Sequence, residues 1–557
     1  MLKLSLLGGI CGLVCGLLMA FFYLLIYLPV RYFIDVEFDS FAALPVITRV
    51  LLPVSACFVL AALLHFIPKA YQSVGVPYVV ERLIYHGGNL PIWNGIVQFF
   101  TAAIGLAGGL SIGKEGPAVH LGATLASVIA VRAKLSQYGI ETLLACGVAG
   151  AISALFQTPL AGVLFAFEVI LLEYRQRYVL PVLLSSIMAT LISHYLIGPI
   201  SLFTVQSFTH IMISPSLFAA CLLLAAMIVS LTSVFFHVQK VAWRFHQVSV
   251  WWRFSLVALL TAVCAVYIPE SLGIGYGVLN TLLSVEIMIQ FLFILVIVKT
   301  VLTAVTIGLG IPGGMIGPAF VIGGLAGVMV ALIFGVAKDE LALFALLGMA
   351  AMMATCFQAP LAALVAIIEL TQSSVLIVPA LLVIVLSCLI IRVVCHQESI
   401  FVERLKYMGM SSSINSFRRH LRHHKVSSVA ENVLFWSQKP SLEQVKDLAS
   451  NVVSYVAFTK QQKCFWVHSS AVLNALQTLE VGPQAWLDIE NEINVMDLSC
   501  AVSSEEVVVI DEPASLEVLL NWFQETRRNK VLIRFSKQSY GLVSKRKLEQ
   551  FLLKNED

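Results

Sequence analysis

Two short elements occur twice in this chain at one fixed spacing, and that repetition limits the fold more than any other feature. Gly116-Pro117-Ala118 returns 201 residues later as Gly317-Pro318-Ala319. Phe156-Gln157-Thr158-Pro159-Leu160-Ala161 returns at the same offset as Phe357-Gln358-Ala359-Pro360-Leu361-Ala362. Gly122/Gly323, Gly147/Gly348, Ala149/Ala350 and Glu168/Glu369 keep this register without a gap. Two homologous halves, about 1–200 and 201–400, follow. Each carries a helix broken at its Gly-Pro-Ala element, a pattern of repeat-built transporters whose substrate sits where the repeats meet. Repetition alone leaves open whether the halves are inverted.

The surroundings of these elements are apolar. The chain is 59% hydrophobic and 12% charged, against about a quarter charged in soluble proteins, so it is expected to cross a membrane many times. Apolar segments fall at about 46–66, 92–107, 121–133, 140–156, 159–172, 178–197, 215–236, 254–267, 286–306, 319–335, 341–357, 361–370 and 376–395. An earlier run, Leu4 to Leu28, is too long for a signal-peptide core and reads as a first membrane helix. Several segments fall short of the roughly 20 residues a full span needs, and Gly and Pro interrupt them. Broken, tilted or half-spanning helices fit this better, with irregular backbone confined to a cavity or the protein interior.

Against this background Gly113-Lys114-Glu115-Gly116-Pro117-Ala118-Val119-His120 stands out. Ionised groups at membrane depth are costly and usually face a polar cavity. The glycines and Pro117 mark a chain break followed by a helix start, where free N–H groups and the positive end of the dipole attract anions. A carboxylate tethered there competes with a diffusing anion for the same amides, which is the outline of a gate. Gly108 and Gly113-Lys114 have the spacing of a phosphate-binding P-loop, but Glu115 stands where that loop needs Ser or Thr. The structural alternative is a Lys–Glu pair bracing two helices.

Eleven cysteines are scattered without a CxxC pair, so neither a zinc site nor a disulfide framework is expected, and no metal or other cofactor is. The basic run Arg418–Lys425 includes three histidines and places the C-terminal side in the cytoplasm by the positive-inside rule. Beyond it, residues 426–557 read as a soluble α/β domain.

Gly113–His120 resembles the GKEGPxxH signature of the CLC chloride channel and transporter family. Ser73-Val74-Gly75-Val76-Pro77 sits where that family has GSGIP, Gly314–Pro318 where it has GxFAP, and Ser399-Ile400-Phe401 where it has the element bearing a pore tyrosine. The resemblance covers residues 1 to about 410. It implies a polytopic α-helical protein of two inverted-topology repeats, a homodimer with one anion pathway per subunit, and a gating glutamate that falls on Glu115. The anion-binding positions it implies are Lys114, Gly116, Val74, Gly75, Met315, Ile316, Gly317 and Phe401, with the Met315 and Ile316 amides central.

Three positions depart from the family pattern. The selectivity serine falls on Val74, with Ser73 one place off, and the pore tyrosine falls on Phe401. A hydrogen bond to a charged group is worth roughly 1.5–3 kcal/mol, so a weaker or differently selective central site is expected, leaning on amides and helix dipoles. The inner glutamate of the family's proton-coupled exchangers falls on Val169, which carries no proton. Glu168 and Glu173 lie close by as substitute relays, although Glu168 has a repeat mate in Glu369 and equally reads as a structural acid.

The tail repeats too. Pro440–Glu443 through Phe465–Ser469 parallels Ala514–Glu517 through Tyr540–Ser544, each copy reading helix, strand, strand, helix. This resembles a tandem CBS pair. The ribose-holding Asp of nucleotide-binding copies falls on Val472 and Lys547, so a structural or dimerising tail is expected rather than a nucleotide site.

The sequence therefore points to a CLC-type transmembrane domain over 1–410, a basic linker over 411–425 and a cytoplasmic CBS-like domain over 426–557. The expected function is anion transport, chloride first, through a plasma (inner) membrane, channel-like or weakly coupled to protons. An H⁺/Cl⁻ antiporter is the alternative. A cation transporter would want acids in the membrane core, which offers few, and a membrane hydrolase a nucleophile–base pair or a metal motif such as HExxH, which the sequence lacks; no enzyme or nucleic-acid partner is expected.

Overall fold

The computed structural model describes residues 2–34, 39–174, 176–199, 214–284, 288–410, 426–436, 454–460, 463–471, 505–513, 515–526, 528–536 and 539–554. The chain divides into two compact units, Met1–Ser412 and Ser413–Asp557. The basic run 418–425 and Val472 lie outside the described residues.

The first unit is helical. Its first half comprises α1 (Leu2–Pro29), α2 (Val46–Phe66), α3 (Gly75–Tyr85), α4 (Ile92–Ala107), α5 (Glu115–Arg132), α6 (Gln137–Phe156), α7 (Pro159–Phe165) and α8 (Gln176–Ile197). A π-helical segment, Ala166–Leu171, extends α7. The second half comprises α9 (Pro215–Trp243), α10 (Val250–Tyr267), α11 (Tyr276–Ser284), α12 (Ile289–Gly308), α13 (Ile316–Ile333), α14 (Leu341–Phe357), α15 (Pro360–Thr371) and α16 (Ile377–Leu389), with α17 (Ile400–Tyr407) following. Among the described residues, nine helices are long and apolar enough to cross a membrane, while α4, α14, α15 and α7 with its extension are shorter. This is an integral, multi-pass architecture of mixed full and partial helices.

The 201-residue offset is legible helix by helix. It relates the starts of α3 and α11, α5 and α13, α7 and α15, and α8 and α16, and the ends of α4 and α12 and of α6 and α14. The repeated FQxP element shows why. Gln157 and Gln358 end α6 and α14 in left-handed conformation (φ 56° and 54°), and Pro159 and Pro360 each open the next helix, where a missing N–H and fixed φ do no harm. Short helices at 75–85 and 276–284 lie between the apolar segments expected from sequence; their mixed composition hid them from a hydropathy reading.

Glycine sets the packing inside each half. A Cβ on Gly122 would run into the Gly147 carbonyl and one on Gly147 into that of Gly122, and Gly323 and Gly348 repeat this reciprocal contact between α13 and α14. Backbones approach this closely only where side chains are absent. The halves then meet at Gly113 and Gly314, which exchange N–H···O bonds of 2.6 and 2.7 Å in an isolated antiparallel bridge. Equivalent residues paired this way lie on a local two-fold axis, so the two half-chains run in opposite senses where they touch.

The second unit contains a seven-stranded sheet of order β4-β3-β2-β1-β7-β6-β5, from β1 (Glu431–Trp436), β2 (Tyr455–Lys460), β3 (Lys463–His468), β4 (Glu505–Val507), β5 (Val509–Asp511), β6 (Lys530–Arg534) and β7 (Tyr540–Ser544). Helices α18 (Leu516–Thr526) and α19 (Lys545–Lys554) accompany it. Leu519, Phe523, Ile533, Val543 and Leu548 are packed together in one core of this unit.

Candidate functional site

The starts of α5 and α13 stand side by side because the Gly113–Gly314 bridge joins the residues just before them. Helix starts present N–H groups with no partner in the helical ladder, and two such ends together make a strongly anion-attracting spot. The Glu115 carboxylate fills it. It is fully buried, Oε2 accepts from the Gly317 amide at 3.0 Å, and Oε1 accepts from the Tyr276 hydroxyl at 3.2 Å. Glu115 thus belongs to one half of the molecule and its docking amide to the other.

A cavity of about 910 Å³ opens beneath this point. Gly116, Met315 and Ile316 line it, and Val74, Gly75 and Phe401 face them. Met315 caps α13 and Ile316 is its first residue, so their amides precede the helical ladder where an anion would lodge. Val74 is the extended N-cap of α3, which brings a third helix start to the same cavity. Ser73 lines it as well, so a hydroxyl stands next to position 74 though not on it. Phe401 is buried and stacks on Phe357, centroids 5.3 Å apart and planes 14° apart; it contributes an apolar wall.

Electrostatics favour anions throughout the cavity. Lys69, Arg253 and Arg404 line it against the single carboxylate of Glu81. Arg253 is tethered by bonds from Nε to Val248 O at 3.1 Å and from Nη1 to Leu309 O at 2.7 Å, and the Arg404 guanidinium lies 5.0 Å from the Trp243 ring centre. A low-dielectric wall carrying one sign of charge concentrates counter-ions.

Three expected contacts turn out otherwise engaged. Lys114 is buried, but its ammonium lies over the Tyr23 ring at 5.7 Å and the residue is not part of the cavity wall. The Gly75 amide donates to His120 Nδ1 at 3.0 Å, so His120 anchors the start of α3 to α5. Gly317 serves through its bond to Glu115 rather than by lining the cavity.

Val169 is buried in the π-helical segment. Its neighbour Glu168 accepts from the Leu361 and Ala362 amides at 3.1 and 2.9 Å, capping α15. Glu369 does the same for α7, accepting from Leu160 and Ala161 at 2.9 and 2.8 Å. Glu173 is elsewhere, within 3.3 Å of the Tyr178 hydroxyl.

Three residues at the site carry no motif: Tyr276, Asp39 and Lys299. Asp39 accepts amide hydrogens from the turn before α11, and Lys299 donates to that turn's carbonyls. A signal existed for Lys299, a lone cation within the apolar run 286–306, which by the cost of a membrane-buried charge marks a functional or structural anchor.

The family model described as voltage gated chloride channel matches residues 54–392. The H(+)/Cl(-) exchange transporter ClcA of Vibrio cholerae serotype O1 is 27% identical over 356 residues, covering 59% of this chain and 74% of that protein. The fold is similar to the crystal structure of a slow cyanobacterial Cl⁻/H⁺ antiporter, with TM-score 0.63 and 19% identity over 74% of this chain and 99% of the other. It is also similar to a eukaryotic CLC transporter, with TM-score 0.60 and 18% identity over 98% of both chains.

Proposed function

The chain belongs to the voltage gated chloride channel family, the CLC proteins, and on that premise we propose that it conducts chloride past a gate formed by Glu115. Members of this family are channels or transporters, not enzymes, and anion transport is the function the chain shares with them.

One observation carries the gate: Glu115 Oε2 sits 3.0 Å from the Gly317 amide, at the helix start whose preceding amides open on the cavity. A carboxylate there occupies the donors an anion needs. Protonation removes its charge and its hold on them, and the anion takes its place.

Two of the similar proteins are named as Cl⁻/H⁺ exchangers. Such exchange needs a proton carrier on the inner side as well as a gate. Position 169 offers valine, and the Glu168 carboxylate is engaged by two amides of α15. Conduction that is channel-like, or only weakly coupled to protons, accords with both facts. The cavity's cations recruit the anion, and backbone donors hold it where the hydroxyls at 74 and 401 are missing.

The remaining parts of the reading follow the family. The protein is a homodimer in the plasma (inner) membrane with its C-terminal unit in the cytoplasm. That unit is a CBS-like pair: β1 with β2 and β5 with β6 are parallel, while β2 with β3 and β6 with β7 are antiparallel, the same arrangement twice. Lys547, where a nucleotide-binding copy has Asp, is ion-paired to Glu431, in keeping with a structural tail.

Purified protein in liposomes under a chloride gradient, with voltage clamped by valinomycin and K⁺, tests the proposal. Chloride efflux is expected to rise as external pH falls, without uphill proton movement. Glu115→Gln is expected to conduct independently of pH. A pH dependence that survives in Glu115→Gln removes the gate, and uphill protons make the protein an antiporter.

A further inference from the structure

Two residues elsewhere in the chain donate to the Glu115 carboxylate, and only one of them, Gly317, does so through its backbone. The other, Tyr276, is the first residue of α11, with its ring buried. What fixes its hydroxyl is the turn immediately before it. Asp39 accepts amide hydrogens from Ile274, Gly275, Tyr276 and Gly277 at 2.7, 2.8, 2.6 and 3.4 Å. Lys299 Nζ donates to the carbonyls of Ser271, Leu272 and Gly273 at 2.9, 3.2 and 2.6 Å. The turn can present carbonyls one way and amides the other because Gly273 and Gly275 adopt φ of 61° and 103°, conformations that glycine alone takes readily. The Gly273 amide also donates to Gly109 O at 2.9 Å, which ties the turn to the segment leading into Glu115.

This arrangement has no counterpart in the other half. The repeat mate of Tyr276 is Gly75 and that of Lys299 is Gln98. The Gly75 amide meets His120 Nδ1 instead, so the hydroxyl is a one-sided feature of the second half, directed at the Glu115 carboxylate of the first.

We infer that Tyr276 is a positioning residue for the gate: its hydroxyl holds the ionised Glu115 carboxylate in the closed position, and the Asp39–Lys299 clamp determines where that hydroxyl stands. The inference rests on the reading of Glu115 as the gate. A donor to a carboxylate favours its charged form, so an arriving anion displaces a group held by two donors, and protonation has to overcome both. The charged group acting on Glu115 is Lys114 on its own segment; Asp39 acts on Lys114, and Lys299 on Asp39.

The test is the pH profile of chloride efflux from liposomes holding the full chain. Tyr276→Phe removes the hydroxyl and keeps the ring. Its half-maximal pH is expected to move up by about one unit, the scale of one hydrogen bond to a charged group. In a Glu115→Gln background the same substitution is expected to change nothing. Lys299→Gln keeps the tyrosine and its hydroxyl but loosens the turn that positions it. It is expected to move the midpoint the same way, and to add nothing on top of Tyr276→Phe. Size-exclusion profiles confirm folded protein for each variant. A midpoint unmoved in folded Tyr276→Phe, with pH dependence still abolished by Glu115→Gln, overturns the inference and leaves the gate standing. A pH dependence that survives Glu115→Gln overturns the gate itself.

Discussion

Glu168 and Glu369, repeat mates in opposite halves, each cap a helix of the other half: Glu168 accepts from Leu361 and Ala362, and Glu369 from Leu160 and Ala161. Each carboxylate therefore completes the start of a helix about 200 residues away. Acids used this way are most useful ionised, which is the wrong state for one that must load and release protons.

Glu168→Gln is accordingly expected to lower thermal stability by about 1–2 kcal/mol, the scale of a lost charged cap, while chloride flux and its pH dependence persist. Glu369→Gln is expected to match it. Thermal unfolding in detergent, set beside liposome efflux, checks both. A normal stability with altered proton movement instead makes Glu168 a relay.

Val74 and Phe401 both line the cavity, so restoring hydroxyls there adds donors to the anion. Val74→Ser with Phe401→Tyr is expected to tighten chloride binding roughly tenfold. Isothermal titration calorimetry in detergent measures it. Affinity unchanged in the double variant places the anion away from both side chains.

Arg404 lines the cavity without lying at the gate, so its contribution to flux is long-range attraction. Arg404→Gln is expected to slow efflux about two- to fivefold at low ionic strength. The deficit shrinks as an impermeant salt shortens the screening length from about 10 Å at 0.1 M toward 3 Å at 1 M. A deficit indifferent to salt marks a local structural role.

The Gly122–Gly147 and Gly323–Gly348 contacts leave no room for a methyl group. Gly147→Ala and Gly348→Ala are each expected to destabilise the protein by about 1–3 kcal/mol, with similar losses in the two halves. Detergent thermal shifts compare them directly.

The sequence made the repeat visible because the two halves keep the same punctuation: a proline at 117 and 318 and again at 159 and 360 places helix starts whatever the flanking apolar residues are. Glu115 was legible for the same reason, as a charge at a helix start among apolar neighbours. Tyr276, Asp39 and Lys299 were not, since their roles arise from contacts spanning 161 residues for Tyr276 with Glu115 and 237 for Asp39 with Tyr276. Nothing local signals such a meeting. Lys114 illustrates the reverse case: its position in the motif pointed to the anion, yet a long flexible stem carries its ammonium over Tyr23. A motif locates a backbone and leaves the far end of a lysine free to choose its company.

The Gly113–Gly314 bridge also imposes an order on biosynthesis. When the first half has entered the bilayer, Gly113 has no partner, and none exists until residue 314 has been made. At about 5–20 residues per second, the helix start bearing Glu115 waits on the order of ten to forty seconds for its complement. Throughout that interval the Glu115 carboxylate lacks the Gly317 amide, and for most of it the Tyr276 hydroxyl as well. The first half's gate residue thus acquires its donors from the second half only as that half is completed.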